Sequence, residues 1–209
     1  MSMRLDAGRR TFLGLGLLAS GALSLAGCSS PSQQAAEQRQ AGDGQRSPDA
    51  EAVLAARWAA MFADPAAVIA AANEFGYAAS PWSRAGSGSY QSLGIEQRLP
   101  AGSSPPIVRT GFKATGAGQG RVDAITFTFA VDRSRPPESK KARDATNIPR
   151  RVVGGFLSRF GLSPNDAVRS AVQNGTSTTM QVKGGGIVVK SEPVGAVGSY
   201  RTTVTIAPR

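Results

Sequence analysis

The sequence predicts an α+β fold in which helix pairs pack on an antiparallel sheet, and three observations carry that prediction. Apolar residues recur at helical spacing in two places, each time as two runs separated by capping residues. Each helical pair is followed by runs with the two-residue alternation of half-buried strands. The two stretches also match at a constant offset of 99 residues, which reads as two ααβββ units in tandem.

The first helix is expected over Asp49 to Ala63, with Val53, Leu54, Trp58, Met61 and Phe62 spaced to share one face. Asp64-Pro65 reads as an N-cap followed by proline at the first helical position, and Gly76 as the end of the second helix through Val68, Ile69 and Ala72. Three strands follow. Tyr90 to Leu99 alternates through Leu93, Ile95 and Leu99, Ile107 to Ala114 places Val108 and Phe112 on one face, and Val122 to Asp132 alternates Ile125, Phe127, Phe129 and Val131 against threonines and alanine. After a basic connection a helix is expected over Pro149 to Phe160, with Val152, Val153, Phe156, Leu157 and Phe160 as its stripe. Ser163-Pro164 starts the next helix, with Asp166 in its first turn, and Asn174-Gly175 ends it. Met180 and Val182 lie in a strand, the Gly184-Gly185-Gly186 run turns the chain, and Ile187 to Val194 returns. Tyr200, Thr202, Val204 and Ile206 alternate in the last strand.

At the 99-residue offset Val53 falls on Val152, Leu54 on Val153, Trp58 on Leu157, Met61 on Phe160, Pro65 on Pro164, Ile69 on Val168 and Gly76 on Gly175. The repeat halves would be 49–132 and 149–209, with Tyr77 to Gly88 an extra loop in the first. Capped helix pairs look alike in many folds, which is the other account of the match. In element order alone, the unit resembles the small lipoproteins of the outer-membrane barrel-assembly machinery and the tandem β-lactamase inhibitor proteins. That likeness carries no family motif, and fold analogy assigns no activity.

Ahead of this α+β part stands a segment of different character. Arg4, Arg9 and Arg10 against Asp6 make a positive start, and Phe12 to Ala26 follows without a charge, too short for a permanent membrane span of roughly 20 residues. The run ends in Leu25-Ala26-Gly27-Cys28, which resembles the lipobox of bacterial lipoproteins. The resemblance implies cleavage between Gly27 and Cys28, so that 1–27 is a signal peptide, and transfer to the Cys28 sulfur of a diacylglyceryl group carrying palmitate-type chains. An ordinary signal peptide or a signal anchor with an incidental cysteine is the alternative. Cys28 is the only cysteine among 209 residues, so no intramolecular disulfide forms, and lipidation would leave no free thiol. Arg9-Arg10-Thr11-Phe12-Leu13 is similar to the twin-arginine export motif, although Gly8 and Gly14 replace its flanking polar residue and lysine. Ser29, rather than aspartate, follows the lipid site. By resemblance to the enteric sorting rule this implies the outer membrane, with the protein facing the periplasm. Residues 28–48 hold no side chain larger than alanine that is apolar after Cys28 and read as a flexible tether with a reach of roughly 25 Å. Residues 49–209 then form the α+β domain.

The chemistry that the composition excludes is extensive. The chain has no histidine, which removes Ser-His-Asp and Cys-His sites and the usual zinc sites. No Ser-x-x-Lys and no calcium-loop pattern occurs, and Gly116 and Gly118 lie in a turn between strands rather than in a phosphate loop before a helix. No catalytic residue, cofactor or metal is therefore expected, and the reading is of a non-enzyme; paired carboxylates meeting in space are the alternative.

Charge supplies the positive evidence. Removing Arg4, Arg9, Arg10 and Asp6 from the 24 basic and 14 acidic residues leaves 21 against 13, an excess of +8. Much of it lies in Arg133, Arg135, Lys140, Lys141, Arg143, Arg150, Arg151 and Arg159, against Glu138 and Asp144. Such a stretch suits an anionic surface, or is simply a solvated connection. Outside the cytosol its partner would be a lipid headgroup, lipopolysaccharide, peptidoglycan or an acidic protein face rather than nucleic acid. Trp82 and Arg84, in the loop special to the first half, have the composition of a protein contact, or of a ring that closes the core. The functional expectation is a membrane-anchored, non-catalytic interaction module of the envelope, with a binding module for an anionic envelope ligand as the alternative.

Overall fold

The computed structural model describes residues 48–86, 88–102, 107–134, 140–195 and 197–209. Its helices are α1 (Pro48–Phe62), α2 (Pro65–Asn73), α3 (Lys140–Thr146), α4 (Ile148–Ser158) and α5 (Asp166–Asn174). Its strands are β1 (Ser83–Arg84), β2 (Tyr90–Leu93), β3 (Gln97–Leu99), β4 (Val108–Gly116), β5 (Ala124–Val131), β6 (Thr178–Val182), β7 (Gly185–Pro193) and β8 (Tyr200–Pro208). All eight join one antiparallel sheet in the order β1-β2-β4-β5-β8-β7-β6, with β3 also paired to β4. The class is α+β, as the sequence predicts.

The alternation of apolar residues decides which face of the sheet is covered. Ile125, Phe127 and Phe129 of β5 and Val204 and Ile206 of β8 are buried in one cluster with Trp58, Met61, Val68, Val153, Phe156, Leu157 and Val172 from the helices. The helices therefore cover a single face. Aromatic rings form its centre: Phe127 meets Phe156 edge-on at 5.1 Å and lies 5.5 Å from Phe112 and 5.8 Å from Tyr77. Burying each such side chain contributes about 1.5–3 kcal/mol. Trp58 sits directly on Gly185, where a Cβ would approach the indole to 2.3 Å, so that site on β7 accepts only glycine. The mouth of the β4–β5 hairpin is tied to α1 by the Val122 N–H, which donates to the Phe62 carbonyl at 2.8 Å.

β5 and β8 pair in the middle of the sheet, from Ile125 against Ile206 to Val131 against Tyr200. Each is the last strand of its half. The constant 99-residue offset does not carry through the packing. In α2 the buried residues are Val68, Ala71 and Ala72, and in α5 Val168, Ala171 and Val172, which correspond at 100. In α1 they are Trp58, Met61 and Phe62, while Val53, matched with buried Val152, is 52% exposed.

Four expectations are corrected. Tyr90 to Leu99 is two short strands, because Gly94 faces Tyr77 and Phe112 so closely that a Cβ there would lie 2.9 Å from the Tyr77 Cβ. Leu93 and Ile95 consequently point outward, 46% and 58% exposed. The helix expected from Ser163-Pro164 begins two residues later, at Asp166, because Asn165 is the residue whose Oδ1 reaches the Val168 N–H at 2.9 Å. The basic connection contains a helix, α3, which buries Ala145 and carries no apolar stripe. Gly184 alone supplies the turn of the glycine run, with φ +88°, whereas Gly185 and Gly186 already belong to β7.

Candidate binding groove

At the β6 end of the sheet, where α5 packs on the edge strand, the helices leave a gap between α1 and α5. α1, the loop 161–165, the first turn of α5 and β6 enclose an open groove of about 840 Å³. Trp58 and Met180 form its floor, and Val53, Leu54 and Val182 form apolar walls. Its rim carries Asp49, Arg57, Asp166 and Arg169, and the two arginines are engaged within the fold. The Arg57 guanidinium donates to the Gly161 carbonyl at 2.7 Å, and Arg169 pairs with Asp166 at 3.3 Å. What remains for a ligand is chiefly apolar. The Trp58 indole N–H is buried and meets no acceptor among the described residues.

The backbone beside the groove is also open. β6 is an outermost strand, bonded only to β7. Lys183-Gly184 is a two-residue turn, which makes Val182 and Gly185 a hydrogen-bonded pair. By alternation Met180 and Thr178 also bond to β7, and Thr179 and Gln181 present their N–H and C=O groups outward. Apolar walls and an unpaired strand edge thus stand side by side.

The basic residues expected to bind an anion or a partner stand in different settings. The Arg133 guanidinium lies 5.0 Å above the Tyr200 ring and donates to the Gln173 carbonyl at 3.1 Å and the Tyr200 hydroxyl at 3.3 Å. It braces the C-terminal end of α5, where a cation suits the helix dipole, and is engaged there rather than offered to a ligand. Burial pushes the Tyr200 phenol up, and the Arg133 charge opposes that rise. Lys140, Lys141 and Arg143 on α3 and Arg150 and Arg151 in the first turn of α4 are exposed, with no ion pair among the described residues. Arg159 is paired with Glu74. Arg135, Gly27 and Cys28 lie outside the described residues.

Trp82 is half-buried. Its ring stacks on Tyr90 at 6.2 Å and closes over Gly116, where a Cβ would meet it at 3.0 Å. Packing accounts for Trp82, while Arg84 is exposed on the sheet's other edge. The groove itself was missed in the sequence because Val53 and Leu54 were assigned to the covered stripe of α1. The available signal was the uneven weight of that stripe, whose large residues gather at Trp58, Met61 and Phe62.

Among the described residues no three of the metal-ligating types His, Cys, Asp and Glu come together, and no single helix is long and apolar enough to cross a membrane. No family model, curated protein or solved structure matches the chain.

Proposed function

We propose that this chain is a lipid-anchored interaction protein of a bacterial envelope, tethered through Cys28 and binding an extended segment of another envelope protein along β6. The observation that carries this reading is the unpaired edge of β6 beside an apolar groove. A strand added there gains main-chain hydrogen bonds from Thr179 and Gln181, and its alternate side chains enter the space between Val53, Leu54 and Val182. Main-chain pairing supplies affinity and the groove supplies selectivity. Arg169 is paired with Asp166, so the selectivity of the site rests on the apolar walls rather than on that pair.

The test is site-specific photo-crosslinking from position 53 of the full chain in its own cells, combined with Thr179→Pro. Proline at that position removes one outward N–H and leaves the ladder to β7 intact. The expected result is a discrete adduct with one envelope protein that disappears in Thr179→Pro and persists in Arg84→Ala. An adduct indifferent to Thr179→Pro, or no adduct, overturns the reading. The anchoring part is tested separately: Cys28→Ala is expected to abolish acylation and sedimentation with membranes.

A further inference from the structure

The face of the sheet turned away from the helices has a pattern of its own. Register places its residues in rows across the strands. Arg98, Arg109, Ala130, Arg201 and Glu192 form one row, Gly111, Thr128, Thr203 and Lys190 the next, and Lys113, Thr126, Thr205 and Val188 a third. Threonines occupy the middle and cations the margins. Arg98 and Arg109 stand directly opposite each other, a like-charge pairing that disfavours the sheet unless an anion serves both. Arg98 is paired with Glu96 at 3.3 Å and Arg201 with Glu192 at 3.4 Å, whereas Arg109, Lys113 and Lys190 have no ion pair among the described residues.

Within the first two rows the face has a dimple of about 110 Å³, lined by Arg109, Gly111, Thr128, Ala130 and Arg201, with Glu96 on its wall. Gly111 and Ala130 keep its base low, and the Thr128 hydroxyl leans over Gly111. A Cβ at Gly111 would stand 2.8 Å from the Thr128 hydroxyl. Arg109 and Arg201 flank Ala130 from the strands on either side, two interstrand spacings or about 10 Å apart. Two guanidinium forks and a hydroxyl around a space this small suit a tetrahedral oxyanion better than a flat or extended ligand.

We infer that this dimple binds a terminal phosphate group, free or as a monoester, held by Arg109 and Arg201 and hydrogen-bonded by Thr128. The inference is independent of the groove on the helical side. The shared chemistry could be presented by free phosphate or by a phosphomonoester lipid, and the probes separate the two. The full chain, purified in non-ionic detergent, is titrated with inorganic phosphate and, separately, in micelles doped with phosphatidic acid, while amide NMR shifts are followed. Saturable shifts at Gly111, Thr128 and Ala130 are expected. Response to phosphate alone identifies the free ion, and response to both, with a lower Kd for phosphatidic acid, identifies the lipid. Arg109→Gln is expected to raise Kd at least tenfold, Thr128→Val several-fold, and Glu96→Gln to lower it. Lys140→Gln, which removes the same charge from α3, is expected to leave Kd within twofold. Equal effects of Arg109→Gln and Lys140→Gln, or no saturable shift at those amides, would overturn the inference.

Discussion

Tyr77 offers the sharpest test of the packing, because its hydroxyl enters the core with one partner. The ring is fully buried between Phe112 and Phe127, and its hydroxyl shares a hydrogen bond of 2.5 Å with the Thr110 hydroxyl, itself only 2% exposed. Tyr77→Phe keeps the ring and leaves the threonine hydroxyl alone in the core, which costs about 1–3 kcal/mol. Thr110→Val strands the phenol to a similar degree. The double variant strands neither group, so its loss is expected to fall short of the sum by about 1 kcal/mol or more. Burial pushes the phenol pKa from 10.0 up to about 12, the Thr110 hydrogen bond opposing it. Below pH 10 the phenol is neutral in both states and the stability is complete. Between pH 10 and about 12 only the unfolded chain ionises, so stability falls with rising pH, by roughly 2–3 kcal/mol in all. Urea titrations of the four chains at pH 7, and of wild type beside Tyr77→Phe from pH 8 to 11, measure both effects. Additive single losses at pH 7, or an alkaline slope no shallower in Tyr77→Phe than in wild type, would refute the buried pair; the slope left in the variant is the share of Tyr200, whose phenol burial also raises.

Three further outcomes follow from the same structure. Gly175→Ala is expected to cost roughly 2–4 kcal/mol in a thermal melt, since φ there is +68° and a Cβ would lie 2.5 Å from the Tyr200 ring. Trp82→Ala is expected to lower stability by about 2 kcal/mol through lost packing on Tyr90 and Gly116; crosslinking from the groove should be unchanged, and a variant with unaltered melting would restore Trp82 as a contact residue. Val53→Asp is expected to change unfolding free energy by less than about 0.5 kcal/mol, because the side chain is 52% exposed, while weakening partner crosslinking from a probe placed at position 182 instead.

The elements most legible in the sequence were those whose pattern agreed with their packing. β5 alternates without interruption and buries Ile125, Phe127, Phe129 and Val131. α4 buries Val152, Val153, Phe156 and Leu157, four of the five residues of its expected stripe. Where tertiary packing set the outcome, the sequence was mute. Gly94 looked like one more position in an alternating strand, and only the approach of Tyr77 makes it a break that turns Leu93 and Ile95 outward. In α3, Ala145 alone is buried among the described side chains, and the lysines and arginine carry no periodic signal. Ser163-Pro164 and Asn165-Asp166 are both plausible starts, and the choice rests on which side chain meets the third amide of the helix. The groove was illegible for a related reason: periodicity locates the apolar side of α1 but does not reveal how much of it the sheet covers. The oxyanion dimple depends on residues brought together by register alone, since Arg109 and Arg201 are joined through β5.

The position of β8 has a consequence for the order of assembly. It is made after every other strand described, yet it fills the slot between β5 and β7. Until it arrives, a growing chain has two bare inner borders; the one on β7 closes by a local hairpin, but the one on β5, bearing Phe127 and Phe129, closes only by pairing distant in sequence. Loops must close over long stretches before those contacts form, so the domain is expected to acquire its structure late and in one step. A nick that released Tyr200–Pro208 would do more than trim an edge; it would divide the sheet and expose both borders to association with other unfolded chains.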